Sequence, residues 1–188
     1  NIRIREERLF MDKNEPTIES TYLYRGKVLN LRKDKVRLPN GKISEREIVE
    51  HSGAVAIVPV TDEGNIILVK QYRKPVEKET IELPAGKLNK NEDPEDCAQR
   101  ELQEETGFSG KLAYKFSYYS TPGFSNEILH MFIARDLKVS PLQCDEDEFV
   151  EKLEVSPHEA MHMIVKGEIM DAKTIIGILA FLQEGHKK

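Results

Sequence analysis

The chain has 188 residues, with 28 Lys plus Arg against 33 Asp plus Glu and a formal net charge of −5. That length supports one domain with a real core, or a domain with a small appendage. The acidic balance argues against broad electrostatic binding of nucleic acid, so any phosphate ligand must be met by local Arg or by a metal ion. The cysteines Cys97 and Cys144 form neither a C-x-x-C pair nor a zinc-ligand spacing, and read as free thiols in a reducing compartment. No stretch approaches the ~18 apolar residues of a membrane span, and no charged-then-apolar leader precedes a small-residue cleavage site. The expectation is a cytoplasmic protein with neither a membrane nor a nucleic-acid partner.

Residues 1–18 read as a charged tail or an added segment, with Met11 as the expected native start. Residues 22–24, 28–38 and 43–49 read as strands, and Pro39-Asn40-Gly41 marks a hairpin turn between the last two. Residues 19–51 are thus expected to form a small antiparallel β segment ahead of a main domain over residues 52–188. Ala54-Val-Ala-Ile-Val-Pro-Val60 is a continuous apolar run, hence a buried strand. Asp62-Glu-Gly64-Asn65 turns it into a strand at residues 66–69, and residues 81–84 are extended. Asp93 then suits the N-cap of a helix, Pro94 its first position, and Glu95 and Asp96 its positive end. Gly107 is the natural stop. Further strands are expected over residues 111–121, 128–135 and 148–155. Ser156-Pro157-His158-Glu159 opens a helix as a capping box. Asp171 begins another, with Ile175, Ile176, Leu179 and Leu182 at helical spacing. The class is α+β, with helices packed on a mixed sheet.

The first of these helices carries the chemistry. Glu101 and Glu105 are i, i+4, and Glu104 is i+3 from Glu101, so all three share roughly one ~100° sector. Like charges at this spacing destabilise a bare helix by about a few tenths of a kcal/mol per pair. A hard divalent cation reverses that sign, because Mg²⁺ prefers carboxylate, carbonyl and water oxygens. Arg100 is i, i+4 from Glu104 and can orient it. Ahead of the helix, Leu83-Pro-Ala-Gly86 can aim the Ala85 carbonyl into the same space, with glycine at 86 permitting a backbone that a β-carbon would block. Cations held there could bridge phosphate oxygens and activate water for in-line attack on a diphosphate.

The register Gly86-x5-Glu92-x7-Arg100-Glu101-Leu102-x-Glu104-Glu105-x-Gly107-Phe108 resembles a complete Nudix box. At this composition the seven identities Gly86, Glu92, Arg100, Glu101, Glu104, Glu105 and Gly107 meet in this register by chance on the order of 10⁻⁵ of the time. The resemblance implies an α/β/α sandwich around a mixed sheet, and hydrolysis of nucleoside diphosphates linked to another moiety with Mg²⁺ or Mn²⁺. More of the chain is similar to bacterial ADP-ribose pyrophosphatases. Gln71-Tyr72-Arg73-Lys74-Pro75 and Glu82-Leu-Pro-Ala-Gly86 precede the helix, Thr121-Pro122-Gly123 follows it, and Asp145-Glu-Asp-Glu-Phe149 matches an acidic loop.

The resemblance assigns the metal to the Ala85 carbonyl, Glu101 and Glu105, with Glu104 as ligand or support. It places the catalytic base, or a further metal contact, at Glu148, with Glu146 the alternative. A mobile acidic loop suits that task, since it can swing in with substrate. Arg73 would bind phosphate or the terminal ribose, Arg46 is a weaker candidate for the same work, and Gly123, Phe124 and Glu127 would line the pocket. Tyr22, Tyr24 and Tyr72 are the aromatics available to stack on a base. The implied substrate is ADP-ribose, or another nucleoside diphosphate sugar such as GDP-mannose. The implied assembly is a homodimer that exchanges its N-terminal sheet.

A competing motif is His158-Glu159-Ala160-Met161-His162, the H-E-x-x-H of zinc metalloproteases. It arises by chance in about 1–2% of such chains. Its His158 also lies in the first helical turn, right after Pro157, where Glu159 already serves the cap. A ligand sensor with a DNA-binding tail is a third class, opposed by the intact acidic helix and by C-terminal helices without a basic cluster.

Overall fold

Three antiparallel strands open the described part of the chain: β1 (Thr17–Arg25), β2 (Asn30–Arg37) and β3 (Ile43–Glu50), ordered β1-β2-β3. The computed structural model describes residues 13–143 and 149–185. The expected start at Met11, the thiol of Cys144, and Glu146 and Glu148 lie outside the described residues. Contacts divide the chain into two units. One runs up to His51 and takes in residues 121–126; the other holds residues 52–120 and those from Glu127 onward.

In the first unit the hairpin at Pro39-Asn40-Gly41 closes through Leu38 N–H to Lys42 O at 2.8 Å. β3 gains a short partner from residues 121–126: Val49 N–H donates to Phe124 O at 2.8 Å, and His51 N–H to the Asn126 side-chain oxygen at 2.8 Å. β1 is exposed along its whole length.

The second unit holds two sheets. In the four-stranded sheet, β4 (Ala54–Pro59) lies parallel to β9 (Ile128–Val139) and antiparallel to β7 (Ala85–Lys87), while β8 (Phe108–Tyr119) pairs antiparallel with β9. The other sheet orders β10 (Val150–Val155), β5 (Ile66–Arg73) and β6 (Lys78–Glu82), all antiparallel. Among the described residues three α-helices cover the sheets: α1 (Pro94–Thr106), α2 (Pro157–Lys166) and α3 (Ala172–Gly185).

β4 explains the sandwich. Its successive side chains point to opposite faces. Val55 and Ile57 pack with Phe132 and with Cys97, Ala98 and Leu102 of α1. Ala56 and Val58 pack with Leu83, Met131, Met163 of α2 and Ile178 of α3. A strand covered on both faces needs a continuous apolar run, which is what residues 54–60 supply. The fold is α+β, a mixed sheet between helical layers.

Several strands differ in extent from the sequence reading: β1 already begins at Thr17, inside the expected tail, β6 and β8 begin three residues earlier, and β9 runs on to Val139. β5 runs on to Arg73, because its polar second half keeps pairing with β6 through Gln71 opposite Thr80. The chain after Pro84 does not simply turn: Ala85–Lys87 forms β7 against β4. Three residues are too few to show an alternating pattern. Among the described residues no helix is long and apolar enough to cross a membrane.

Candidate active site

The helix α1 begins and ends as its residues dictate. Asp93 caps it by accepting from Glu95 N–H at 2.8 Å, Pro94 opens it, and Gly107 closes it at φ 75°. Cys97, Ala98 and Leu102 turn to the core. Glu101 and Glu105 are also buried, 7% and 6% exposed. Burying carboxylates is costly unless they are paired.

Arg100 supplies much of that pairing. Its Nη1 donates to Glu101 Oε1 at 2.6 Å and to Glu104 Oε2 at 2.8 Å. Its Nε and Nη2 donate to Glu92 Oε1 and Oε2 at 2.9 and 3.2 Å. Glu92 Oε2 also accepts from Asn89 N–H at 2.8 Å, which fixes the loop ahead of the helix. The bond to Glu92 is the main cause holding the Arg100 pKa above its ordinary value, and the same bond holds Glu92 below the usual carboxylate range. Cys97 lies inside this assembly; burial, then the charge of Glu92, pushes its thiol up to about 12. It is a protonated packing residue rather than a nucleophile.

Glu105 faces the other way, toward the turn before the helix, where Ala85 N–H donates to its Oε2 at 2.9 Å. A β-carbon on Gly86 would run into the Glu101 carboxylate, so glycine is what lets the turn approach. Ala85 and Gly86 therefore lie against Glu105 and Glu101. Among the described residues, no three His, Cys, Asp or Glu side chains form a group that could by themselves hold a metal ion. The donors at the turn still fit a hard divalent cation. Mg²⁺ needs only one or two carboxylates and keeps several waters, and the close cradle under Gly86 is lined by carboxylate oxygen.

A second charged cluster backs the turn. Glu82, 3% exposed, accepts from Arg73 Nε at 2.9 Å and Nη2 at 2.8 Å, from Thr80 Oγ1 at 2.6 Å, and from Lys173 Nζ. Burial alone would raise the Glu82 pKa; the Arg73 hydrogen bonds and the Lys173 ammonium outweigh it and hold the carboxyl at about 2. Next to it, Leu83 N–H donates to Thr174 Oγ1 at 2.7 Å. The sequence reading named neither Lys173 nor Thr174. It named Glu82 and Glu92 only as motif positions, without partners.

The other expected residues are placed as follows. Arg73 ends β5 in the forked ion pair with Glu82. Glu127 accepts from Ser120 Oγ at 2.5 Å and borders a cleft of about 250 Å³ with Tyr118, Asp171, Lys173 and Ile176. In the first unit Arg46 makes a fork with Glu15, at 2.8 and 2.7 Å, and Gly123 and Phe124 are exposed. Phe124, 55% exposed, is not a core residue of that unit. Tyr22 carries Arg25 over its ring at 3.5 Å, and Tyr24 and Tyr72 are exposed.

The zinc reading does not fit. His158, Glu159 and His162 are all exposed on α2, and Ser156 caps that helix by accepting from Glu159 N–H at 3.2 Å. An exposed first turn offers no cleft around a metal and substrate.

The family description "NUDIX domain" matches residues 50–175, and "Nucleoside diphosphate sugar hydrolase N-terminal domain" matches residues 15–49. The chain belongs to the Nudix family. An "ADP-ribose pyrophosphatase" of Bacillus subtilis (strain 168) is 50% identical over 167 residues, 87% of this Nudix chain and 90% of that protein. A "Methanol dehydrogenase activator" of Bacillus methanolicus is 46% identical over the same shares. A crystal structure of an "ADP compounds hydrolase" matches with a TM-score of 0.81 at 21% identity, covering 93% of this chain and 95% of that one, which shows the Nudix fold.

Proposed function

We propose that this Nudix protein hydrolyses the diphosphate linkage of ADP-ribose, with Mg²⁺ or Mn²⁺, to AMP and ribose 5-phosphate. The observation that carries the reading is the approach of the Ala85-Gly86 turn to Glu105 and Glu101 on a helix held by Arg100. The 50% identity to an ADP-ribose pyrophosphatase directs it to that substrate among nucleoside diphosphate sugars.

In this reading the Ala85 carbonyl, Glu101 and Glu105 hold the cation. When bound, it neutralises phosphate charge and lowers the cost of forming hydroxide. Arg100 holds Glu104 and Glu101 in fixed rotamers, so that little reorganisation accompanies the reaction. Arg73 turns its Nε–Nη2 edge to Glu82, which leaves the Nη1 edge to meet phosphate or ribose. Glu148 takes the proton of the attacking water on a carboxylate oxygen, with Glu146 as the alternative base. Arg46, Gly123, Phe124 and Glu127 serve substrate binding. The protein acts in the cytoplasm as a homodimer, with residues 19–51 as the exchanged β segment and residues 52–188 as the hydrolase domain.

The test is a product screen of ADP-ribose, GDP-mannose, UDP-glucose and NADH with Mg²⁺ and with Mn²⁺. AMP and ribose 5-phosphate released fastest from ADP-ribose support the reading; a clear preference for GDP-mannose moves it to that sugar. The 46% identity to a methanol dehydrogenase activator supports a second reading, activation of such a dehydrogenase. It is checked by adding the protein to that enzyme.

A further inference from the structure

We propose that the first turn of α3 is a positioning device for the catalytic turn: Thr174 and Lys173 hold Leu83 and Glu82, and so set how Ala85 and Gly86 meet Glu105 and Glu101. This rests on the reading of that turn as part of the reaction centre.

The hydrogen bonds form a directed chain. Asp171 Oδ2 accepts from Thr174 N–H at 3.0 Å and from the Thr174 hydroxyl at 2.6 Å. The hydroxyl proton is thereby committed to Asp171, and an oxygen lone pair is left for Leu83 N–H at 2.7 Å. Thr174 and Leu83 are 0% and 1% exposed, so water cannot replace either partner. Lys173 Nζ bonds Glu82 and lies 3.1 Å from Asp171 Oδ2.

Packing reinforces the chain. A β-carbon on Gly177, one turn further along α3, would run into Leu83 Cδ1, with Met131 Sδ at 3.1 Å. The helix thus lies directly on Leu83. The turn is pinned next by Ile57 N–H to Pro84 O at 2.9 Å and then by Ala85 N–H to Glu105 at 2.9 Å. Side chains that fix ligand-bearing groups act on metal affinity and rate without touching substrate. Thr174, buried and 91 positions from Leu83 in sequence, is so placed, and Lys173 reaches Glu82 across the same separation.

Thr174→Val keeps the shape and removes the acceptor; Lys173→Met removes the ammonium. Three readouts apply: Mn²⁺ binding without substrate, followed by electron paramagnetic resonance; amide exchange at Leu83 and Ala85; and kcat with KM for ADP-ribose. Each variant is expected to weaken Mn²⁺ binding and lower kcat by about tenfold, with KM within about twofold at saturating metal. Leu83 exchange should quicken by at least about tenfold in Thr174→Val. Thr174→Ser and Lys173→Arg should restore all three. Should Thr174→Val fail to fold, Lys173→Met carries the test. Variants that melt earlier yet keep wild-type Mn²⁺ affinity and kcat would overturn the proposal, leaving α3 as packing alone. A failure of the ADP-ribose reading looks different: the wild-type protein binds Mn²⁺, the variants bind it less well, and no AMP appears from either.

Discussion

Arg100 and Glu92 are eight residues apart and joined by two hydrogen bonds, at 2.9 and 3.2 Å, on the guanidinium edge that leaves Nη1 for Glu101 and Glu104. A loop carboxylate therefore sets the orientation of the arginine, and the arginine sets that of the helix carboxylates. A lysine has the charge but not the fork. Arg100→Lys is expected to lower kcat by about tenfold or more and to reduce Tm, read by steady-state turnover and thermal melting. Wild-type turnover would show that the carboxylates keep their geometry without it.

Gly86 sits where a β-carbon would strike the Glu101 carboxylate. Gly86→Ala should displace Glu101 or the turn, while the core packing of Leu102 and Val55 stays in place. The expected outcome is a folded protein with its far-ultraviolet circular dichroism intact and Mn²⁺ affinity reduced by about tenfold or more. Titration calorimetry checks it. Unchanged affinity would place the cation elsewhere.

Glu105→Gln preserves size and still offers an oxygen to Ala85 N–H, so the charge is what it removes. Turnover should fall by at least about 10², since a metal clamp supplies several kcal/mol. Near wild-type turnover at saturating Mg²⁺ would remove Glu105 from the cation site.

Glu82 gives a pH prediction. Its pKa in the folded chain is about 2, below the ordinary 4.5. A depressed carboxyl contributes stability above its unfolded pKa and loses it as pH falls through the folded one. The window is therefore from about pH 4.5 down to about 2, and the contribution is on the order of 3 kcal/mol. Carbon-13 NMR of the Glu82 side-chain carboxyl should show no titration at pH 4. A midpoint near 4.5 would mean that Arg73 and Lys173 do not hold it.

The sequence shows these features unequally, and the reason is range. Helix α1 is legible because Asp93, Pro94 and Gly107 mark its ends locally and its acidic face repeats at helical spacing. β4 is legible because a strand buried on both faces must be apolar throughout. Glu104 pairs with Arg100 as i, i+4 spacing requires. Arg73 read as a substrate residue, yet its partner Glu82 is set by the register of β5 against β6, which no local pattern encodes. Thr174 and Lys173 reach the turn from 91 residues away, and in sequence they look like any helix start. The His158-Glu159-x-x-His162 pattern was legible as a motif but lacked a cleft, because a capped, exposed first turn faces solvent.

The most direct test of the central claim is competition between ADP-ribose and GDP-mannose in one vessel with Mg²⁺, followed by phosphorus NMR and chromatography of the products. The account predicts AMP and ribose 5-phosphate first, with ADP-ribose favoured in kcat/KM by about tenfold or more and all release stopped by chelator. Faster release of GMP, or hydrolysis that survives chelation, would contradict it.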